Sequence, residues 1–115
     1  MITLKNPTTT FQLVMSGAEA TNKLPWVVSW VDLLTATQEV SLMSESDGIS
    51  NGTGAVTMVP APPEGHTRII KGVSIYNADT TGAQVSVRLN SSGTIRTIIQ
   101  PLLSAGDTLE YSAAD

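Results

Sequence analysis

From Thr67 onward, apolar and polar residues alternate with a period of two, and Gly, Asp and Asn punctuate the alternation. The order is TRIIKGVSIYN, ADTTG, AQVSVRLN, NSSG, TIRTIIQPLL, SAGD and TLEYS. Four strand signals separated by three turn signals predict an antiparallel meander. Alternation is cleanest at Ala83, Val85, Val87 and Leu89, with Gln84, Ser86, Arg88 and Asn90 facing the other way. Val73 and Ile75 match them on the preceding strand, and Ile95, Ile99, Leu103, Leu109 and Tyr111 complete the expected inward set. Pro101 should shorten or bulge the third strand, because proline cannot donate to a ladder.

The first half is less regular. Met1 to Thr10 is polar, with Pro7 and a Thr run, and reads as an arm or an edge segment. Phe11 to Ser16 predicts a short strand with Phe11, Leu13 and Met15 on one face. Leu24 to Leu34 (LPWVVSWVDLL) is apolar on both strand faces, as in a central or covered strand. Helical spacing also fits Trp26, Trp30 and Leu33, but the β-branched run and Pro25 favour a strand. Val40 to Met43 and Ala55 to Val59 are further strand candidates. Ser44 to Gly54 reads as a polar loop, since Gly48, Gly52 and Gly54 permit positive φ and Asn51-Gly52 is a turn dipeptide. Pro60 to Gly65 is a stiff connector. About eight short strands at this spacing predict an all-β protein. The expected fold is an antiparallel β-sandwich, jelly-roll-like, with a C-terminal meander. Residues 11–115 form its single domain, behind an N-terminal arm of residues 1–10.

Composition narrows the possible functions. A chain of 115 residues can bury roughly two thirds of its unfolded surface, enough for one core without staples. With no Cys, disulfides, thiolate metal sites and cysteine nucleophiles are excluded. Net charge is -4, and the six cations Lys5, Lys23, Arg68, Lys71, Arg88 and Arg96 are scattered. Nucleic-acid binding is therefore not expected, because it needs clustered cations. Neither is a membrane span: the apolar stretch from Leu24 is interrupted by Ser29 and Asp32 and is too short. The start, MITLKNPTTTF, lacks the apolar core of a signal peptide. Charged residues are only 14% of the chain, against roughly 25% in an ordinary soluble domain. A weakly charged, Thr-rich β surface suits coverage by partners or by copies of itself.

Candidate chemistry is sparse. His66, the single histidine, follows a Pro-rich connector and reads as a solvated loop residue. Glu45, Asp47 and Asn51 could offer oxygens to an ion bound in the 44–54 loop, but their spacing does not match an EF-hand. Trp26, Trp30, Tyr76 and Tyr111 could make a stacking platform for carbohydrate. Burial in the core or in a subunit interface suits the Trp pair better, given its apolar neighbourhood. Phe11, Trp26, Trp30, Tyr76 and Tyr111 are the candidate interface residues. No P-loop, GxGxxG, HExxH, CxxC or GxSxG occurs, and no catalytic, cofactor-binding or metal-binding residue is assigned. The expectation is a protein that is not an enzyme.

Two stretches, Leu13 to Leu33 and Ala55 to Ser112, resemble small tailed-bacteriophage virion proteins. The shared pattern includes VPAP, then RII..V.IYN.D, then V.V.LN..GT.R, then GDTLEY. It is carried by Arg68, Val73, Ile75, Tyr76, Asn77, Asp79, Val85, Val87, Leu89, Asn90, Gly93, Thr94, Arg96, Gly106, Asp107, Leu109 and Tyr111. The resemblance implies a β-sandwich in the virion, made in the host bacterial cytoplasm. It would be a capsid decoration (cement) protein, or else a neck or tail component. Partners would be the major capsid protein or neighbouring virion subunits, with a homo-oligomer expected. A carbohydrate- or receptor-binding module is the alternative from another class.

Overall fold

The computed structural model describes residues 1–113, in which eleven strands form two antiparallel sheets. At the centre of the first sheet, β3 (Pro25–Leu34) pairs with β7 (His66–Tyr76). The outer edge of β7 carries β1 (Ile2–Leu4) and β11 (Thr108–Ser112) end to end. The outer edge of β3 carries β5 (Ser44–Ile49) and β4 (Glu39–Val40) in the same way. In the second sheet, β2 (Thr9–Met15) pairs with β8 (Ala83–Ser91). β6 (Val56–Val59) borders β2, while β9 (Thr94–Ile99) and β10 (Leu102–Leu103) border β8.

The inner faces follow from the alternation. Phe11, Leu13 and Met15 of β2 join Val85 and Val87 of β8, and across the sandwich Trp26, Val28 and Trp30 join Ile70, Val73 and Ile75. Phe11, Val28, Ile70, Ile75 and Val85 are completely buried, each contributing about 1.5–3 kcal/mol of transfer free energy. β3 is central, paired on both sides, and buries Trp26, Val28 and Trp30 while Val27 on its outer face is 49% exposed. Between β8 and β9 the two loop residues, Ser92 and Gly93, have φ of 52° and 92°. Two successive positive φ values match the right-handed strand twist across a two-residue turn, and the Asn90 side chain accepts the Gly93 N–H at 2.9 Å.

Several expectations change. The meander is split between sheets: β8 and β9 form a hairpin, but β7 and β8 lie in different sheets and β11 returns to β7. The cause is the segment after Tyr76, whose side chains pin a crossover rather than a hairpin (below). Ile95 and Ile99, expected inside, are 39% and 44% exposed, because β9 is an edge strand with little of the other sheet above it. The polar stretch from Ser44 is a strand up to Ile49, not a loop, since the β3 edge supplies its ladder. Gly48 has a packing role there: a Cβ would sit 2.6 Å from Trp26 Cζ2. Of the two readings of residues 1–10, arm or edge segment, the second holds for Ile2–Leu4, an edge strand on β7 with Leu4 fully buried. Of the Val40–Met43 candidate only Val40 is in a strand, and Leu42 is 91% exposed.

Candidate functional site

The polar residues that the resemblance singles out bind the chain to itself. Asn77 is fully buried just beyond β7. Its amide donates to the carbonyls of Thr81 (3.0 Å) and Leu103 (2.9 Å), its Oδ1 accepts the Asp79 N–H, and its carbonyl accepts the Gly106 N–H. One side chain thus ties the crossover to β10, and its backbone ties it to the SAGD turn. Asp79 does the same for the loop before β3. Its carboxylate accepts the N–H groups of Ala20 (2.7 Å), Thr21 (2.8 Å), Asn22 (3.0 Å) and Thr80 (2.8 Å). Those bonds, Asn22 first, then Ala20, outweigh burial and hold the carboxyl down to about 2. In the SAGD turn, Asp107 Oδ2 accepts the Ser104 N–H at 3.1 Å.

Two further clamps hold the other side. Glu19 Oε2 accepts the Ser50 hydroxyl and the Gly52 N–H. Burial works to raise its carboxyl; the hydrogen bonds and the Lys23 charge prevail and leave it below the ordinary value. Arg68 Nε donates to Asp32 at 2.8 Å, and its Nη1 reaches the carbonyls of Pro60 (2.8 Å) and Ala61 (3.2 Å). Its guanidinium also lies 5.5 Å from the centre of the Trp30 ring, a cation–π contact. Arg68 thereby anchors the Pro-rich connector.

The remaining candidates do not converge. His66 begins β7 beside Leu34 and its Nδ1 lies 3.2 Å from the Glu64 carbonyl. Glu45 and Asp47 are exposed on β5, while Asn51 lies past its end. Among the described residues no group of three or more His, Asp or Glu is arranged to hold a metal ion. Of the candidate interface aromatics, Phe11, Trp26 and Trp30 are core residues, at 0%, 5% and 8% exposure. Inward faces of central strands bury the largest side chains, so Trp26 and Trp30 present no surface to a partner and no platform to a sugar, while Phe11 forms part of the floor of the cleft described below. Trp26 Nε1 is buried without a hydrogen-bond partner among the described residues. Tyr76 is 43% exposed at the end of β7, and Tyr111 is half-buried, its hydroxyl accepting the Ile2 N–H at 3.1 Å.

What the molecule does present is an open edge. Along one side the two sheets meet: β5 contacts β6, and the Ser46 hydroxyl donates to the Met58 carbonyl. Along the other, β9 faces β1 and β11 across a cleft of about 390 Å³. Phe11, Val73 and Val87 form part of its lining, with Ile98, Ile99, Leu109 and Tyr111. Ile98 and Ile99 are about two-fifths exposed and Leu102 is 72% exposed. A register shift between Val87 and Arg88 leaves Ile98 without a Cα partner in the ladder. Sequence reasoning assigned Ile99 to the interior and overlooked Ile98. The available signal was the adjacent pair Ile98-Ile99, which regular alternation would put on opposite faces and which the irregularity at Ile98 brings to one cleft. Comparison with protein-family models, with curated proteins and with solved structures finds no match to this chain.

Proposed function

We propose that this chain is a structural subunit of a tailed-bacteriophage virion, a capsid decoration (cement) protein that stabilises the head through subunit contacts. The observation that carries the reading is the open edge. An edge strand whose outer side is unpaired among the described residues, with exposed isoleucines beside an apolar cleft, is a surface that natural β-proteins cover. Partners in this reading are the major capsid protein or neighbouring virion subunits, including copies of the chain itself. The residues behind the phage resemblance support it in a second way: Arg68, Asn77, Asp79 and Asp107 hold strands and loops in place. They make a rigid scaffold, and a cement protein needs rigidity and buried contact rather than reaction chemistry. The reading assigns no catalytic residue and no cofactor.

The test is location. In purified particles of the phage that encodes it, the chain should be present in many copies. A label fused after Ser112 should decorate the head lattice in particle images. A label at the portal vertex or along the tail would reassign the chain to the neck or tail. Absence from the particles would overturn the virion reading.

A further inference from the structure

A second groove lies at the end of the sandwich where the β1–β2 turn faces the β8–β9 hairpin. Its volume is about 390 Å³, and its lining includes Lys5, Asn6, Thr9, Ser91, Thr94 and Arg96, with no carboxylate among them. The fate of the six cations makes the groove unusual. Arg68 pairs with Asp32. Lys23 donates to the Ser50 carbonyl and Asn51, Arg88 donates to Gln12, and Lys71 is also engaged. Lys5 and Arg96 have no ion pair and no side-chain hydrogen bond among the described residues. These two, far apart in sequence, are brought to the same groove on a chain of net charge -4. A groove lined by two cations and no carboxylate presents a positive field to which an oxyanion is attracted.

We infer that this groove binds a phosphate or sulfate group carried on a sugar-sized, hydroxyl-rich body. The guanidinium of Arg96 offers a planar fork of N–H donors matched to two oxygens of such a group, and Lys5 adds a mobile point charge. Around them the lining combines hydroxyl and amide groups with the apolar side chain of Leu89. Thr9, 6% exposed, donates to Ser91 Oγ at 3.1 Å, and Thr8 lies 3.3 Å from the same oxygen. That relay fixes the Ser91 hydroxyl at the groove wall, and the Asn6 amide and the Thr94 hydroxyl extend the polar lining. The volume falls at the lower end of small-molecule sites, leaving space for a polyol beside the anion. This site is separate from the apolar cleft and does not depend on the virion reading.

The test is a titration of the isotope-labelled protein followed by amide NMR shifts. The ligands are inorganic phosphate, inorganic sulfate, a hexose monophosphate, its sulfate-ester counterpart and the neutral hexose. Saturable shifts at Lys5, Asn6 and Thr94 to Arg96 are expected with the anionic ligands and not with the neutral hexose. Phosphate and sulfate arms separate the two sources, and a hexose ester binding more tightly than the bare ion supports the sugar-sized body. Lys5→Gln/Arg96→Gln should weaken binding at least about tenfold with unchanged melting temperature, because both side chains are solvent-exposed. Lys23→Gln/Lys71→Gln removes the same charge elsewhere and should bind as wild type. Three results would each overturn the proposal: no saturable shift with any anion, wild-type affinity in the Lys5/Arg96 variant, or equal loss in the Lys23/Lys71 variant.

Discussion

The two lateral edges of the sandwich are made of similar short strands but are finished in different ways. At the β5–β6 edge the sheets touch, Ser46 bonds across to Met58, and Gly48 makes room for the Trp26 ring. At the β9–β11 edge the sheets stay apart, and Ile98, Ile99 and Leu102 face a cleft or solvent. Closing the first edge uses polar side chains and a missing Cβ. The second is left with apolar side chains that water does not satisfy. The difference separates apolar residues that make the fold from apolar residues that the fold leaves exposed.

The comparison can be broken in several places. The largest effect should come from the floor of the open cleft, which is still core. Phe11→Ala should cost about 3–5 kcal/mol, read as a lost or strongly shifted denaturant midpoint. A small loss there would mean that the cleft penetrates the core. Next is Asn77→Ala, which strips partners from the carbonyls of Thr81 and Leu103 and from the Asp79 N–H. About 3 kcal/mol is expected, given 1–3 kcal/mol for each buried group left unsatisfied, and urea unfolding would measure it. At the closed edge, Gly48→Ala should cost about 1–3 kcal/mol through overpacking against a ring that cannot swing away. A neutral result would show that edge to be as loose as the other.

The acid limb sharpens the same division. The Asp79 carboxyl lies below its ordinary value of 3.8, at about 2. A depressed folded value means that its stabilising contribution is intact above the unfolded value and is lost as pH falls toward the folded one. Melting temperature should therefore drop between about pH 4 and pH 2, with Glu19 adding to the loss in the same direction. Asp79→Asn should be less stable at neutral pH and should flatten the decline over that interval. An unchanged pH profile in that variant would remove Asp79 from the clamp.

Much of the fold was legible in the chain and much of the site was not. Period-two alternation located β7, β8 and the β8–β9 turn, because each residue's face depends only on its neighbours in sequence. Sheet membership was not local. Whether β7 pairs with β8 depends on Asn77 and Asp79 gripping carbonyls and amides distant in sequence, and nothing in IYNAD signals those partners. The polar run from Ser44 became a strand because β3 offered a free edge, a tertiary supply of hydrogen bonds that propensity cannot register. Leu24 to Leu34 was legible as an apolar strand, but whether the face that carries Trp26 and Trp30 meets a core or a partner depends on the opposite sheet. The open edge was the least legible of all: Ile99 fits the inward pattern, and only the absence of a covering strand exposes it.

The central claim is that the β9–β10 edge is the contact surface. Cosedimentation with heads assembled from the major capsid protein of the proposed phage tests it directly, using wild type and Ile98→Lys/Leu102→Lys. Both side chains are substantially exposed, so the double variant should keep the wild-type melting temperature, with a stability change within about 0.5 kcal/mol at each site. Wild type should pellet with the heads and the variant should stay in the supernatant. A stable variant that pellets as well as wild type would contradict the account.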